Sequence, residues 1–282
     1  MTAPRIDAHQ HLWQFARGDY GWLTPALGPI FRDFGPDDLA PLLARHGIDR
    51  TILVQAAPTE AETRYLLGIA ARTPFIAGVV GWTDFDAPDV ALRIAALAAD
   101  PLLVGLRPMV HDIDDDGWLA RPSLAPAFEA MNAHGLVFDA LLKPQHIPAT
   151  LGLLARYPAL PVVIDHAAKP DLVSGDLAAW REGIAVLAAH RQASCKLSGL
   201  VTEAAADWTS ETLRPVVEHL LASFGPDRLI FGSDWPVLTL RADYARWFET
   251  ATALLSGCKE SEREAIFGGN AARIYLSRRG RQ

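Results

Sequence analysis

Along the chain, short runs of β-branched and other apolar residues alternate with longer stretches in which apolar positions recur at threes and fours. The short runs read as strands: 5–11 (RIDAHQH), 51–56 (TILVQA), 76–82 (IAGVVGW), 103–108 (LVGLRP), 136–141 (LVFDAL), 161–167 (PVVIDHA), 194–199 (SCKLSG) and 229–235 (LIFGSDW). The longer stretches, at 37–47, 60–73, 89–100, 124–135, 147–158, 177–191 and 211–225, read as helices with one buried stripe. Parallel neighbours need a crossover of about this length, so the rhythm predicts a parallel sheet, and eight repeats close most simply into a (β/α)8 barrel. A doubly wound open sheet competes, but it normally carries a Gly-rich phosphate turn after its first strand, and HQHLWQF contains no glycine. No linker or composition shift divides residues 1–282, which are expected to form a single domain.

Punctuation agrees with this division. His46–Gly47 and His134–Gly135 each place a cation-capable ring in a last helical turn, with a glycine just beyond to take the left-handed position. Two long irregular stretches, 18–38 and 109–122, follow strand ends, where the mouth of a barrel collects its loops.

Strand alternation puts His9 and His11 on one face, pointing into that mouth. The polar or aromatic residues closing the other strands join them: Gln55, Trp82, Arg107, Asp139, His166, Lys196 and Asp234, spaced by 25 to 46 residues, about one βα unit each. Blander readings stand beside this ring. The two strand-one imidazoles would serve as hydrogen-bonded core residues, Asp234 as a turn cap before Pro236, and Arg107 and Lys196 as neutralisers of carboxylates such as Asp139. Asp165 is expected to point away from the face His166 uses. His46, His134, His190 and His219 fall in helical patterns, His111 lies in a loop within reach of the pocket, and His146 reads as surface.

Composition narrows the partner. Half of the 282 residues are hydrophobic and 21% are charged, enough to bury a sizeable core. A formal net charge of −7 without any Lys/Arg block argues against nucleic acid or an anionic membrane and for a small molecule. The N-terminus lacks the three sections of a signal peptide, no stretch is apolar over a membrane's width, and Cys195 and Cys258 make no disulfide framework, so a cytoplasmic protein is expected. No heptad or apolar edge indicates an oligomeric state.

The D-A-H-Q-H opening at 7–11, the D-H at 165–166 and G-S-D-W-P at 232–236 together resemble the amidohydrolase superfamily, in its amidohydrolase-2 branch of sugar lactonases, over essentially the whole chain. The resemblance implies a distorted barrel with its pocket at the strands' C-terminal ends. It matches His9, His11, His166 and Asp234 to metal-ligating and catalytic positions. Two-metal members also carry a strand-four lysine and a strand-five histidine; Arg107 and Asp139 stand there instead, which points to one divalent ion, Zn²⁺ foremost, or to none. Hydrolysis of a lactone needs an activated water, a polarised carbonyl and a proton for the departing alkoxide. On this reading Asp234 is the general base, and His9, His11 and His166 hold zinc or donate to the oxyanion themselves. Arg107 and Lys196 donate to the substrate with Gln55 and Asp139 beside them, and Trp82, Trp235 and Trp22 offer flat faces to a sugar ring. An aldonolactone of the L-fucono, L-galactono or L-rhamnono kind is implied, in carbohydrate catabolism. Metal-dependent decarboxylation of an aromatic acid and non-catalytic binding of a sugar acid are the alternatives.

Overall fold

The computed structural model describes residues 4–277. Eight strands, β1 (Ile6–Gln10), β2 (Arg50–Val54), β3 (Ile76–Gly81), β4 (Leu103–Leu106), β5 (Val137–Ala140), β6 (Val162–Ile164), β7 (Ala193–Leu197) and β8 (Leu229–Phe231), lie side by side in chain order and every ladder is parallel. Closure between β8 and β1 is made just past the strand end: His11 N donates to the Trp235 carbonyl and Asp234 N to the His9 carbonyl, each at 2.7 Å. Each strand is followed by a helix, from α1 (Pro36–His46) through α2 (Glu60–Ala70), α3 (Val90–Ala98), α4 (Ala125–Ala133), α5 (Ile147–Arg156), α6 (Ala178–Ala188) and α7 (Ser210–Phe224) to α8 (Tyr244–Leu254), with a short α9 (Glu260–Glu264) behind. The architecture is the (β/α)8 barrel that the hydrophobic rhythm predicts. Among the described residues no helix is long and apolar enough to cross a membrane.

Inside the barrel, Ile6, Ala8, Ile52, Val54, Val80, Val104, Val137, Val163 and Ile230 pack together, and the C-terminal residues Ala271, Ile274 and Tyr275 close the floor. Full burial of such side chains contributes roughly 1.5–3 kcal/mol each. The strands therefore hold a packed plug below and leave only their upper ends for chemistry.

Two local departures from regular strand geometry set the site. Between Asp7 and Gln10, β1 uses one residue more than β2 does opposite it, a bulge. Ala8 consequently packs with the interior valines while His9, the next residue, also reaches inward. The second departure corrects an expectation. β6 stops at Ile164, and His166, Ala167, Ala168 and Lys169 all take positive φ, from 51° to 56°. This left-handed turn rotates His166 back toward the axis, so Asp165 and His166 both face the barrel interior and not opposite sides. His146 also departs from its surface reading: it is buried, its Nδ1 accepting from Lys143 N at 3.0 Å where the chain enters α5.

Candidate active site

Four side chains from β1, the β6 turn and the β8 turn meet at one atom. The Nε2 atoms of His11, His9 and His166 lie 3.2, 3.6 and 3.9 Å from Asp234 Oδ1. Backbone shape brings them there. Asp234 itself is left-handed at φ 61°, and Gly232 leaves the space that His9 needs, for a Cβ there would stand 2.7 Å from the His9 Cβ. At the β7 end, Gly199 (φ +64°) is the bare surface on which the His166 ring rests; a Cβ would overlap that ring. Asp7 pins the assembly from outside the barrel, accepting from Ser233 N at 2.8 Å and from the Tyr244 hydroxyl at 3.0 Å.

Electrostatics divide the roles. Burial pushes His166 down to about 4, against the pull of Asp234 and Asp165. Burial, joined by the nearby Lys196 charge, also holds His9 well below the ordinary histidine range. Both rings are neutral at pH 7. For Asp234, burial alone would favour the acid, but His166, His11 and His9 together hold the carboxyl below its usual value, so it is a carboxylate.

The donor chemistry fits a divalent ion. His11 gives its Nδ1–H to the Val54 carbonyl at 2.8 Å, which orients the ring and places Nε2 3.2 Å from Asp234 Oδ1. An imidazole nitrogen and a carboxylate oxygen at that separation are donor types that one divalent ion can bind together. Tetrahedral zinc with bonds of about 2.0–2.2 Å spaces its ligand atoms roughly 3.3 Å apart, close to the spacing here. His9, His11 and Asp234 form one group with metal-ligand spacing, and His9, Asp165 and His166 another.

Beneath this cluster lies a second, fully buried one. Lys196 Nζ stands 2.5 Å from Asp139 Oδ2, 3.0 Å from Asp165 Oδ1 and 3.2 Å from His9 Nδ1. The Tyr275 hydroxyl donates to the other Asp139 oxygen at 2.7 Å. Burial raises Asp139 to about 6 despite Lys196. Burial would raise Asp165 too, but Lys196, His9 and Arg107 more than offset it and hold it well below the carboxylate range. Gln55 and Arg107 clasp each other reciprocally, the Gln55 amide donating to the Arg107 carbonyl at 2.8 Å and the guanidinium to the Gln55 carbonyl.

Above both clusters a cavity of about 250 Å³ opens. Arg107, His11, His166 and Asp234 line it together with the apolar Trp22, Ala56, Met109, Leu141 and Val237 and the polar His111, Asp112, Lys169 and Thr202. Both long loops contribute, and His111 does reach the cavity. Five residues expected at the substrate stand elsewhere. Gln55, Asp139 and Lys196 are fully buried without lining the cavity, because they are engaged with Arg107 and with one another. Trp235 packs edge-on against Phe34, ring centres 5.1 Å apart, and the half-buried Trp82 is tied through its backbone N–H and carbonyl to the Thr63 hydroxyl. His9 is likewise fully buried and outside the lining. Of the residues expected at the substrate, Trp22 and Arg107 are the ones at the cavity. Sequence reasoning missed Asp165 and Lys169. For Asp165 a signal existed: it keeps the parity of the inward Val163, as Asp139 keeps that of Val137. Lys169 had none, since its position depends on the left-handed turn.

Comparison with known proteins agrees with this geometry. The chain is 48% identical to an L-fucono-1,5-lactonase of Burkholderia ambifaria, covering 96% of this chain and 95% of that protein. It is 39% identical to an L-fucono-1,5-lactonase of Burkholderia multivorans over 98% and 97% of the two chains. A crystal structure of an amidohydrolase from Burkholderia multivorans with bound zinc superposes with a TM-score of 0.91 at 38% identity, covering 97% and 99%. The amidohydrolase family model Amidohydro_2 matches residues 6–276. This chain therefore belongs to the amidohydrolase family.

Proposed function

We propose that the protein hydrolyses a sugar lactone to the corresponding sugar acid, with L-fucono-1,5-lactone the first candidate substrate. The observation that carries the reading is the convergence of three imidazole Nε2 atoms on one oxygen of a buried carboxylate beneath an open cavity. The full-length relatives named as L-fucono-1,5-lactonases, at 48% and 39% identity, support it. A cavity of about 250 Å³ is smaller than the ~300–1,000 Å³ of drug-sized pockets and suits a single-ring molecule. Its apolar lining residues suit a ring's carbon atoms, and its polar ones the hydroxyls.

Asp234 takes a proton from water as the hydroxyl oxygen adds to the lactone carbonyl, and returns that proton to the ring oxygen as the carbon–oxygen bond breaks. Arg107 and His166, which line the cavity, would donate to the carbonyl oxygen on which negative charge develops. A divalent ion, zinc foremost, would be held by His9, His11 and Asp234, the group with metal-ligand spacing, with His166 beside it. When bound it polarises the carbonyl and makes hydroxide available near neutral pH. The free thiols Cys195 and Cys258 suit a reducing cytoplasm.

Decarboxylases of aromatic acids share the fold, one at a TM-score of 0.67 with 18% identity, a likeness that carries nothing about the reaction. A pH-indicator screen of L-fucono-, L-galactono- and L-rhamnonolactones, with and without chelator, tests substrate and metal together. Acid release from at least one lactone is expected, with Asp234→Asn losing about 10²-fold or more in kcat. Carbon dioxide from an aromatic acid, without acid release from any lactone, would replace this reading.

A further inference from the structure

Three successive carbonyls at the end of β2 each hold a side chain of the site. Val54 O accepts from His11 Nδ1 at 2.8 Å, Gln55 O from Arg107 Nη2, and Ala56 O from the Trp22 indole N–H at 2.7 Å. His11, Arg107 and Trp22 all line the cavity, as does Ala56 itself. The sheet does not fix this segment, since β2 ends at Val54 and its last bond to β3 runs from Gln55 N to the Val80 carbonyl at 2.8 Å. The two amides beyond are taken by one side chain, Glu62. Ala56 N donates to its Oε1 at 3.0 Å and its Oε2 at 3.1 Å, and Ala57 N to Oε2 at 2.8 Å.

Glu62 is fully buried in the first turn of α2, three residues after the N-cap Thr59. A glutamate at that position ordinarily reaches back to the N-cap's own N–H. Here the Thr59 hydroxyl does accept from Glu62 N at 3.0 Å, but Thr59 N donates to the Ala57 carbonyl at 2.9 Å and the Glu62 side chain goes on to residues 56 and 57. An amide N–H and the carbonyl of the residue before it belong to one planar group, so holding one end orients the other. The group joining Gln55 to Ala56 has Glu62 on its N–H and Arg107 on its oxygen. The group joining Ala56 to Ala57 has Glu62 on its N–H and Trp22 on its oxygen. Hydrogen bonds at the two ends of an amide also strengthen each other by polarisation.

We propose that Glu62 is a positioning residue that, through two successive peptide groups, aims Arg107 and Trp22 at the bound substrate. Glu62 itself stands outside the cavity lining. That the substrate is a lactone rests on the lactonase reading. Arg107 acts on charge that develops in the transition state, so its misplacement falls on kcat. Trp22 faces the ring before and during reaction alike, so its misplacement falls on KM.

The test compares the full chain as wild type, Glu62→Gln and Glu62→Asp. Glutamine keeps the shape but turns an NH2 toward one of the two amides, and aspartate keeps both oxygens but draws them back by one methylene. In Glu62→Gln, kcat for L-fucono-1,5-lactone is expected to fall about tenfold and KM to rise about threefold, with Glu62→Asp between it and wild type. Added to Arg107→Lys, Glu62→Gln should cost no further kcat, and added to Trp22→Phe it should raise KM no further, because each link is already broken. Folded variants with wild-type kcat and KM, or losses that simply multiply in the double variants, overturn the proposal. The Trp22 indole N–H signal in ¹⁵N NMR, assigned by its loss in Trp22→Phe, reads the link without substrate. It is expected to move upfield in Glu62→Gln as the bond to the Ala56 carbonyl weakens, and an unmoved signal overturns the link. A protein that hydrolyses no lactone would sink the lactonase reading while leaving this signal to decide whether Glu62 holds Trp22. If both variants fail to fold, hydrogen exchange in wild type decides: the Ala56 and Ala57 amides should be protected about 10³-fold or more, and exchange at open-loop rates overturns the proposal.

Discussion

Each imidazole in the cluster is held by a different partner: His11 by the Val54 carbonyl, His166 by the Ser198 hydroxyl at 2.9 Å, His9 by Lys196. Holding His166 and His9 neutral has a consequence for stability. With His166 lowered to about 4 in the fold and near 6.5 when unfolded, acid favours the unfolded chain. The contribution is complete above about pH 6.5 and is lost as pH falls toward 4, about 3 kcal/mol in all. His9 acts in the same sense. Glu62 acts in the opposite one, since burial raises it to about 7 while its carboxylate accepts from Ala56 N and Ala57 N, so ionising it costs stability as pH rises. The clean measurement is therefore urea unfolding of metal-free wild type against His166→Asn between pH 7.5 and 4.5. The variant should show the shallower loss toward acid, and parallel curves would remove His166 from the account.

At the scale of elements, the decisive unit is the turn after β6, with its run of left-handed residues His166 to Lys169. For L-residues this region costs about 1–2 kcal/mol each, and such strain persists where the surroundings over-determine it. Gly199 is part of those surroundings. Gly199→Ala should lower stability by about 1–3 kcal/mol and kcat by tenfold or more, since the new methyl must displace the His166 ring. Gly135, also left-handed at φ +65° but with nothing near its absent Cβ, provides the control. Gly135→Ala should cost about 1 kcal/mol by backbone conformation alone and leave kcat intact. Equal kinetic effects from the two would mean that the His166 ring is not resting where the structure puts it.

For the molecule as a whole, the barrel's two ends are coupled through its interior. Tyr275, on the C-terminal segment that closes the floor, donates to Asp139, which pairs with Lys196 beneath the site. Tyr275→Phe leaves a buried carboxylate oxygen without its donor and should cost about 1–3 kcal/mol, read as a lowered urea midpoint. A midpoint equal to wild type would show that water or rearrangement replaces the hydroxyl. The cost belongs to the whole fold, since the two residues lie 136 apart in sequence and meet only when the barrel closes.

Periodicity alone was enough for the eight βα units, for the pairing of His9 with His11 and for the gathering of strand-end residues, because burying one face of a strand or helix imposes a repeat that local composition must follow. The loops 18–38 and 109–122 were legible as mouth-forming for the same reason, and the family resemblance supplied the expected roles of His9, His11, His166 and Asp234. What tertiary structure decided is depth and direction. Whether Lys196 and Asp139 touch substrate or lie beneath it depends on a few ångströms along each strand, and both proved to be buried without lining the cavity, with Lys196 between Asp139 and Asp165. Alternation fails where regular strand geometry breaks, at the β1 bulge and at the left-handed turn after β6, and those two places set His9 and His166. Periodicity is a property of regular backbone; the site is built where the backbone stops being regular, held there by contacts between residues far apart in the chain.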